Sequence, residues 1–199
     1  MADAVESKLF RIGVEAYTVG SHEFYLGYAI RNSIMLCLDI GHFHPTEQVS
    51  DKISAVFQFI PELLLHVTRP MRWDSDHVVT FSDEIKQLFE EIVWADKLNN
   101  VNIGLDFFDA SINRIGAYVT GVRAVQKAIL SALLNPTVKL REYDENKQYF
   151  ERLALLEESK TMPIGAVWDY YCLSRNVPVG KDYIYEIQQY EKEVLSKRH

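Results

Sequence analysis

Two patterns of apolar residues alternate along this chain. The first is a short unbroken run. Ile34 to Leu38 is too short for a helix and is closed by Gly41 and Pro45, which reads as a strand buried on both faces of a parallel sheet. Leu63-Leu64-Leu65-His66-Val67 and Val101-Asn102-Ile103-Gly104-Leu105 repeat it, and Met1 to Phe10 reads as the tail of one more strand. The second pattern has the helical period. Ser21 is placed to cap a helix from about Glu23 to Arg31. Thr46 is expected to cap a helix carrying Val49, Ile53, Val56, Phe57 and Ile60 on one face and stopped by Pro61. Ser82 is expected to cap a third, whose acidic first turn, Asp83-Glu84, suits the helix dipole and whose inner face is Ile85, Leu88, Phe89, Ile92 and Val93. A long amphipathic helix follows from about Ser111 to Leu134, and Pro136, Pro163 and Gly180 divide the remainder into three or four helices without strands. Strand and helix therefore alternate over residues 1-135, predicting an α/β fold with a parallel sheet, and residues 136-199 form a helical extension.

Composition narrows the class. The 199 residues are 48% hydrophobic and 25% charged, the profile of a folded soluble protein. A net charge of -7 without any Lys/Arg block argues against nucleic acid as a partner. Cys37 and Cys172 have no paired spacing, which is reduced, cytoplasmic usage. The first twenty residues hold no apolar leader segment and nowhere do about 18 apolar residues run together, so neither export nor a membrane is expected.

The chemistry lies where the strands end. In parallel α/β architectures the C-terminal ends of the strands open onto the active site. Glu6, Asp39, His66 and Asp106 occupy those positions in turn, separated by 33, 27 and 40 residues. A complete (β/α)₈ barrel spreads its eight units at roughly 30 residues each, so four strand ends facing one pocket is the expected geometry. Three carboxylates and an imidazole in one buried pocket repel and desolvate one another unless a cation sits among them. A second divalent site is available beside the first: His42 lies one turn beyond Asp39, and Asp74 and Asp76 lie on the loop after His66, although an Asp-x-Asp pair also suits an Asx turn. Oxygen-rich sets with one imidazole each favour Mn²⁺, Co²⁺ or Mg²⁺ over the thiolate preference of structural zinc, with manganese first. Lys8, two residues after Glu6, points to the same side of its strand; it either donates near a metal-bound ligand or pairs with one of the carboxylates. Arg69 and Arg72 are expected to support the carboxylates.

Four strings carry a resemblance. Glu6 to Phe10, Leu38 to Glu47, Leu65 to Val67 with Arg72 to His77, and Gly104 to Ser111 look like L-rhamnose isomerase, with the ligand logic shared more distantly by xylose isomerases. The resemblance implies Glu6, Asp39, His66 and Asp106 around a substrate-ligating metal, and His42, Asp74 and Asp76 around a catalytic one. Lys8, Asp106 and His42 would stand at the chemistry, Lys8 as a substrate-binding lysine. It implies a metal-dependent aldose-ketose isomerase taking L-rhamnose to L-rhamnulose in L-rhamnose catabolism, cytoplasmic and homotetrameric, on a xylose-isomerase-like TIM barrel. The family's chains are about twice as long, so the expectation is the C-terminal half of that barrel, strands five to eight, plus the helical extension. The alternatives are another sugar isomerase or epimerase of this type, or a truncated fragment that is inactive alone. The tyrosines between Tyr143 and Tyr190, with Trp168, suit either a subunit interface or a cover for the barrel.

Overall fold

The computed structural model describes residues 3–8, 19–44, 46–70, 76–109 and 111–198. Its contacts divide the chain into two compact units, Met1–Ala132 and Leu133–His199. The first unit is α/β. Its strands are β1 (Ala4–Glu6), β2 (Met35–Asp39), β3 (Leu63–Val67), the short β4 (Arg69–Pro70) and β5 (Asp76–His77), and β6 (Val101–Leu105). Four of them make one sheet in the order β1-β2-β3-β6, every neighbouring pair parallel. The strands β4 and β5 form a separate antiparallel ribbon. Helices α1 (His22–Asn32), α2 (Ser50–Val56), α3 (Asp83–Trp94) and α4 (Arg114–Leu134) alternate with the strands, as the periodicity predicts. Parallel pairing requires such crossovers, since each strand must return to the same edge before the next begins.

Burial follows the pattern that defined the elements. Leu36, Leu38, Leu63, Leu65 and Val67 are buried on the sheet, and Ile53, Val56, Ile85, Leu88, Phe89 and Ile92 are buried on α2 and α3 in the same core. In β3 the buried residues alternate with half-buried Leu64 and His66, so one face packs while the other carries an ionisable group.

Three helix starts differ in detail from the sequence expectation. Ser21 does cap α1, accepting from Phe24 N. Thr46 does not cap α2: its hydroxyl lies 2.6 Å from His44 Nδ1, and the helix begins only at Ser50, after Val49. That helix also ends at Val56, and a turn precedes Pro61. Ser82 precedes α3 without a side-chain cap bond, the start being held by Lys86 N donating to Ser82 O and by Asp83 and Glu84 in the first turn. The long helix starts at Arg114 because Asn113 Oδ1, rather than Ser111, accepts from Gly116 N.

The second unit is helical, with α5 (Thr137–Glu145), α6 (Tyr149–Ser159), α7 (Ile164–Ser174) and α8 (Tyr183–Glu193). Pro136 and Pro163 stand immediately before α5 and α7, and Gly180 adopts a left-handed backbone (φ 55°) between α7 and α8. Leu140, Trp168 and Cys172 are its buried residues among those described. No helix among the described residues is long and apolar enough to cross a membrane.

Candidate metal centre

Parallel strands place all their C-terminal ends on one rim of the sheet. Glu6 ends β1, Asp39 ends β2, His66 is the penultimate residue of β3 and Asp106 follows β6, its N–H donating to Val67 O. The register sets Glu6 opposite Cys37, Asp39 opposite His66, and His66 opposite Gly104. A Cβ at position 104 would stand 3.3 Å from His66 Cδ2, so glycine there leaves the imidazole its room. The four predicted residues are thereby brought together. His66 Nδ1 lies 2.8 Å from Glu6 Oε1, 3.4 Å from Asp39 Oδ2 and 3.4 Å from Asp106 Oδ2.

These donors fit a cation. Asp39 is fully buried; its Oδ1 accepts from Gly41 N at 2.7 Å, yet Oδ2 has no hydrogen bond. His66 Nδ1 is buried too, with three carboxylates around it. Buried polar atoms that converge without bonding one another are costly unless something positive occupies the point they share. The ligand atoms lie within 4.8 Å of one another in each of three sets: Asp39, His66 and Asp106; Glu6, Asp39 and His42; and Glu6, Cys37 and His66. The electrostatics carry the same demand. Asp39, with Cys37 and Glu6 beside it, pushes the His66 imidazole up to about 12, so that the carboxylates hold a proton there. Burial raises the Glu6 carboxyl, but His66, the Cys37 thiol and His42 outweigh it and bring it below its ordinary value.

The second predicted set is partly placed. His42 sits in a short 3₁₀ turn (Ile40–His42) after β2, is buried, and directs Nδ1 to Ser7 O at 3.2 Å. A carbonyl only accepts, so Nδ1 carries the proton and Nε2 offers its lone pair, which lies 2.8 Å from Lys8 Nζ. Lys8 is itself buried, held by an antiparallel bridge to Gly20. Asp39 Oδ2 is 3.7 Å from His42 Nε2, and Glu6 Oε2 is 3.6 Å from His42 Nδ1, so the two predicted sets adjoin. Asp76 opens β5, opposite Pro70. A Cβ at Gly41 would fall 2.5 Å from Asp76 Oδ1 and 3.2 Å from Asp39 Oδ1, so glycine there lets the Asp76 carboxylate pack against the turn that carries Asp39 and His42. Arg69 Nε donates to Val78 O at 3.0 Å, bracing the ribbon that presents Asp76. Asp74 and Arg72 lie outside the described residues.

Sequence reasoning passed over Cys37, Gly41 and Gly104. Strand alternation sets Cys37 on the same face as Asp39, and its thiol donates to Glu6 Oε1 at 3.1 Å. Its thiol is pushed up to about 12 by burial, so it stays protonated beside the carboxylates. The two glycines gave no signal, because what each must leave empty is filled from another strand.

Comparison with known proteins identifies the family. The family model of L-rhamnose isomerase (RhaA) matches residues 1–198. An L-rhamnose isomerase of Bacteroides thetaiotaomicron is 60% identical over 198 residues, covering 100% of this chain and 47% of that protein. One from Rhodopirellula baltica is 60% identical over 196 residues, 98% of this chain and 46% of its own length, and one from Escherichia coli O127:H6 is 58% identical over 196 residues, 98% and 47%. The chain thus spans about half the length of the curated relatives it matches. With a family match along almost its whole length, the chain belongs to the L-rhamnose isomerase family.

Proposed function

We propose that the intact enzyme carrying this chain interconverts L-rhamnose and L-rhamnulose, and that the rim of the sheet is its metal centre. The observation that carries the reading is the convergence of Glu6, Asp39, His66 and Asp106 from four adjacent parallel strands, with His42 alongside. Aldose-ketose isomerisation moves one hydrogen between neighbouring carbons and balances oxidation within the sugar, so no nicotinamide is required. Bound divalent cations, Mn²⁺ first and Co²⁺ or Mg²⁺ as alternatives, supply Lewis-acid polarisation of the open-chain carbonyl. Glu6, Asp39, His66 and Asp106 would hold one of them, and His42, Asp76 and Asp74 the other. The residues themselves orient and protonate. Lys8, buried beside His42 Nε2, provides an ammonium donor to a sugar oxygen and fixes how the substrate enters. His42 keeps Nε2 directed inward through its bond to Ser7 O, and Asp39 is locked by Gly41 N.

On this reading the four-stranded sheet is strands five to eight of a (β/α)₈ barrel, and the helical unit is the extension that follows. The intact protein is a cytoplasmic homotetramer whose partners are sugars, with no role for nucleic acid or membrane. Ketose formation from L-rhamnose and Mn²⁺ tests the assignment, and its absence with ketose formed from another sugar of a panel would move the enzyme to a different isomerase of the same type. The 199 residues alone are a second case. Among the described residues β1 and β6 each pair on one side only, and half a barrel neither encloses a sugar nor excludes water. We therefore expect no turnover from this chain without the other half.

A further inference from the structure

Cys37 takes no part in the chemistry proposed above. It lies on β2 two residues before Asp39, so alternation sets both side chains on one face of the sheet, the thiol one layer deeper. The register brings it opposite Glu6, and its Sγ–H donates to Glu6 Oε1 over 3.1 Å. The same oxygen lies 2.8 Å from His66 Nδ1, while the other oxygen of that carboxylate faces His42. Glu6 stands on a strand of only three residues, so little local structure fixes its side chain. Independently of the thiol, Asp39 Oδ2 is fully buried, makes no hydrogen bond and is directed into the same cluster, 3.4 Å from His66 Nδ1, which points to a ligand there.

We propose that Cys37 is a positioning residue: a thiol donor beneath Glu6 Oε1 that fixes the plane of this carboxylate and so sets the affinity of the cation centre. The inference rests on reading the cluster as a cation centre and not on which sugar is isomerised. Sulfur serves here as a donor, because its proton is engaged by Glu6 and the surrounding oxygen-rich set favours a hard cation. A donor in contact with a ligating carboxylate typically changes metal affinity by about 10–100-fold when lost.

The test is Mn²⁺ titration calorimetry on the metal-stripped intact enzyme, with thermal melting of the metal-free forms as the check on folding. Cys37→Val keeps the volume and removes the donor; Cys37→Ser keeps a donor. We expect Val to weaken Mn²⁺ binding by about tenfold or more with the metal-free melting temperature unchanged, and Ser to retain wild-type affinity. Should Val fail to fold, Cys37→Ala is read the same way. A Val variant with wild-type affinity overturns the proposal. Equal weakening by Val and Ser overturns it in favour of packing alone. A sulfur-to-metal charge-transfer band in the Co²⁺-loaded wild type that Cys37→Ser abolishes overturns it in favour of direct ligation. A wild type that takes up no Mn²⁺ defeats both this inference and the reading beneath it, whereas normal uptake with an indifferent Val variant defeats this inference alone.

Discussion

At the scale of single residues, the site depends on buried charges that need a partner, and two groups give this a pH signature. His66 is pushed up from 6.5 to about 12, so the stability it lends the metal-free fold is complete below about 6.5 and is lost as pH rises toward the higher value. Glu6 is lowered from 4.5, so its contribution is complete above about 4.5 and is lost in more acid solution. Urea unfolding of the metal-stripped intact enzyme should therefore show these two contributions together between about 4.5 and 6.5, with stability falling on both sides; a steady rise from 6.5 to 9 would contradict it. A cation entering the centre must displace the proton on His66, so Mn²⁺ should bind more tightly as pH rises through neutrality. His42→Ala and Asp76→Ala should each lower kcat/KM by more than about 100-fold, beyond the usual loss from a supporting residue, with little change in melting temperature. Gly41→Ala should act on the same chemistry from outside it, because its methyl carbon would fall 2.5 Å from Asp76 Oδ1 and displace that carboxylate. The donors were legible in the sequence because strand ends are readable and charge there is unusual. The glycines were not, since Gly41 is defined by Asp76 and Gly104 by His66, each far away in the sequence.

At the scale of elements, apolar runs and helical periodicity located the sheet and the helices, while the caps were less reliable. Ser21 was legible because its hydroxyl reaches Phe24 N in the first turn, as the sequence position implies. Thr46 was not, because a histidine two residues earlier lies within hydrogen-bonding reach of its hydroxyl. Ser21→Ala should accordingly cost about 1 kcal/mol by chemical denaturation, and Ser82→Ala clearly less, since the Ser82 side chain makes no cap bond. Leu38, fully buried on β2 directly before Asp39, should cost about 2–5 kcal/mol when truncated to Ala, and the strand end would move with it.

At the scale of the whole molecule, the sheet among the described residues has four strands with β1 and β6 at its edges, and the relatives are about twice as long as this chain. Edge strands left unpaired associate or aggregate, so the 199 residues expressed alone should form ketose at no measurable rate and regain it only when the other half is supplied. On the proposed function, the rim of the sheet is a metal centre acting on a sugar. Ketose formation from L-rhamnose by the intact enzyme, measured after chelation and again after Mn²⁺ is returned, tests it most directly. The account predicts no ketose from the stripped protein and full recovery with Mn²⁺; turnover that survives removal of the metal, or its absence when Mn²⁺ is restored to the folded enzyme, would contradict it.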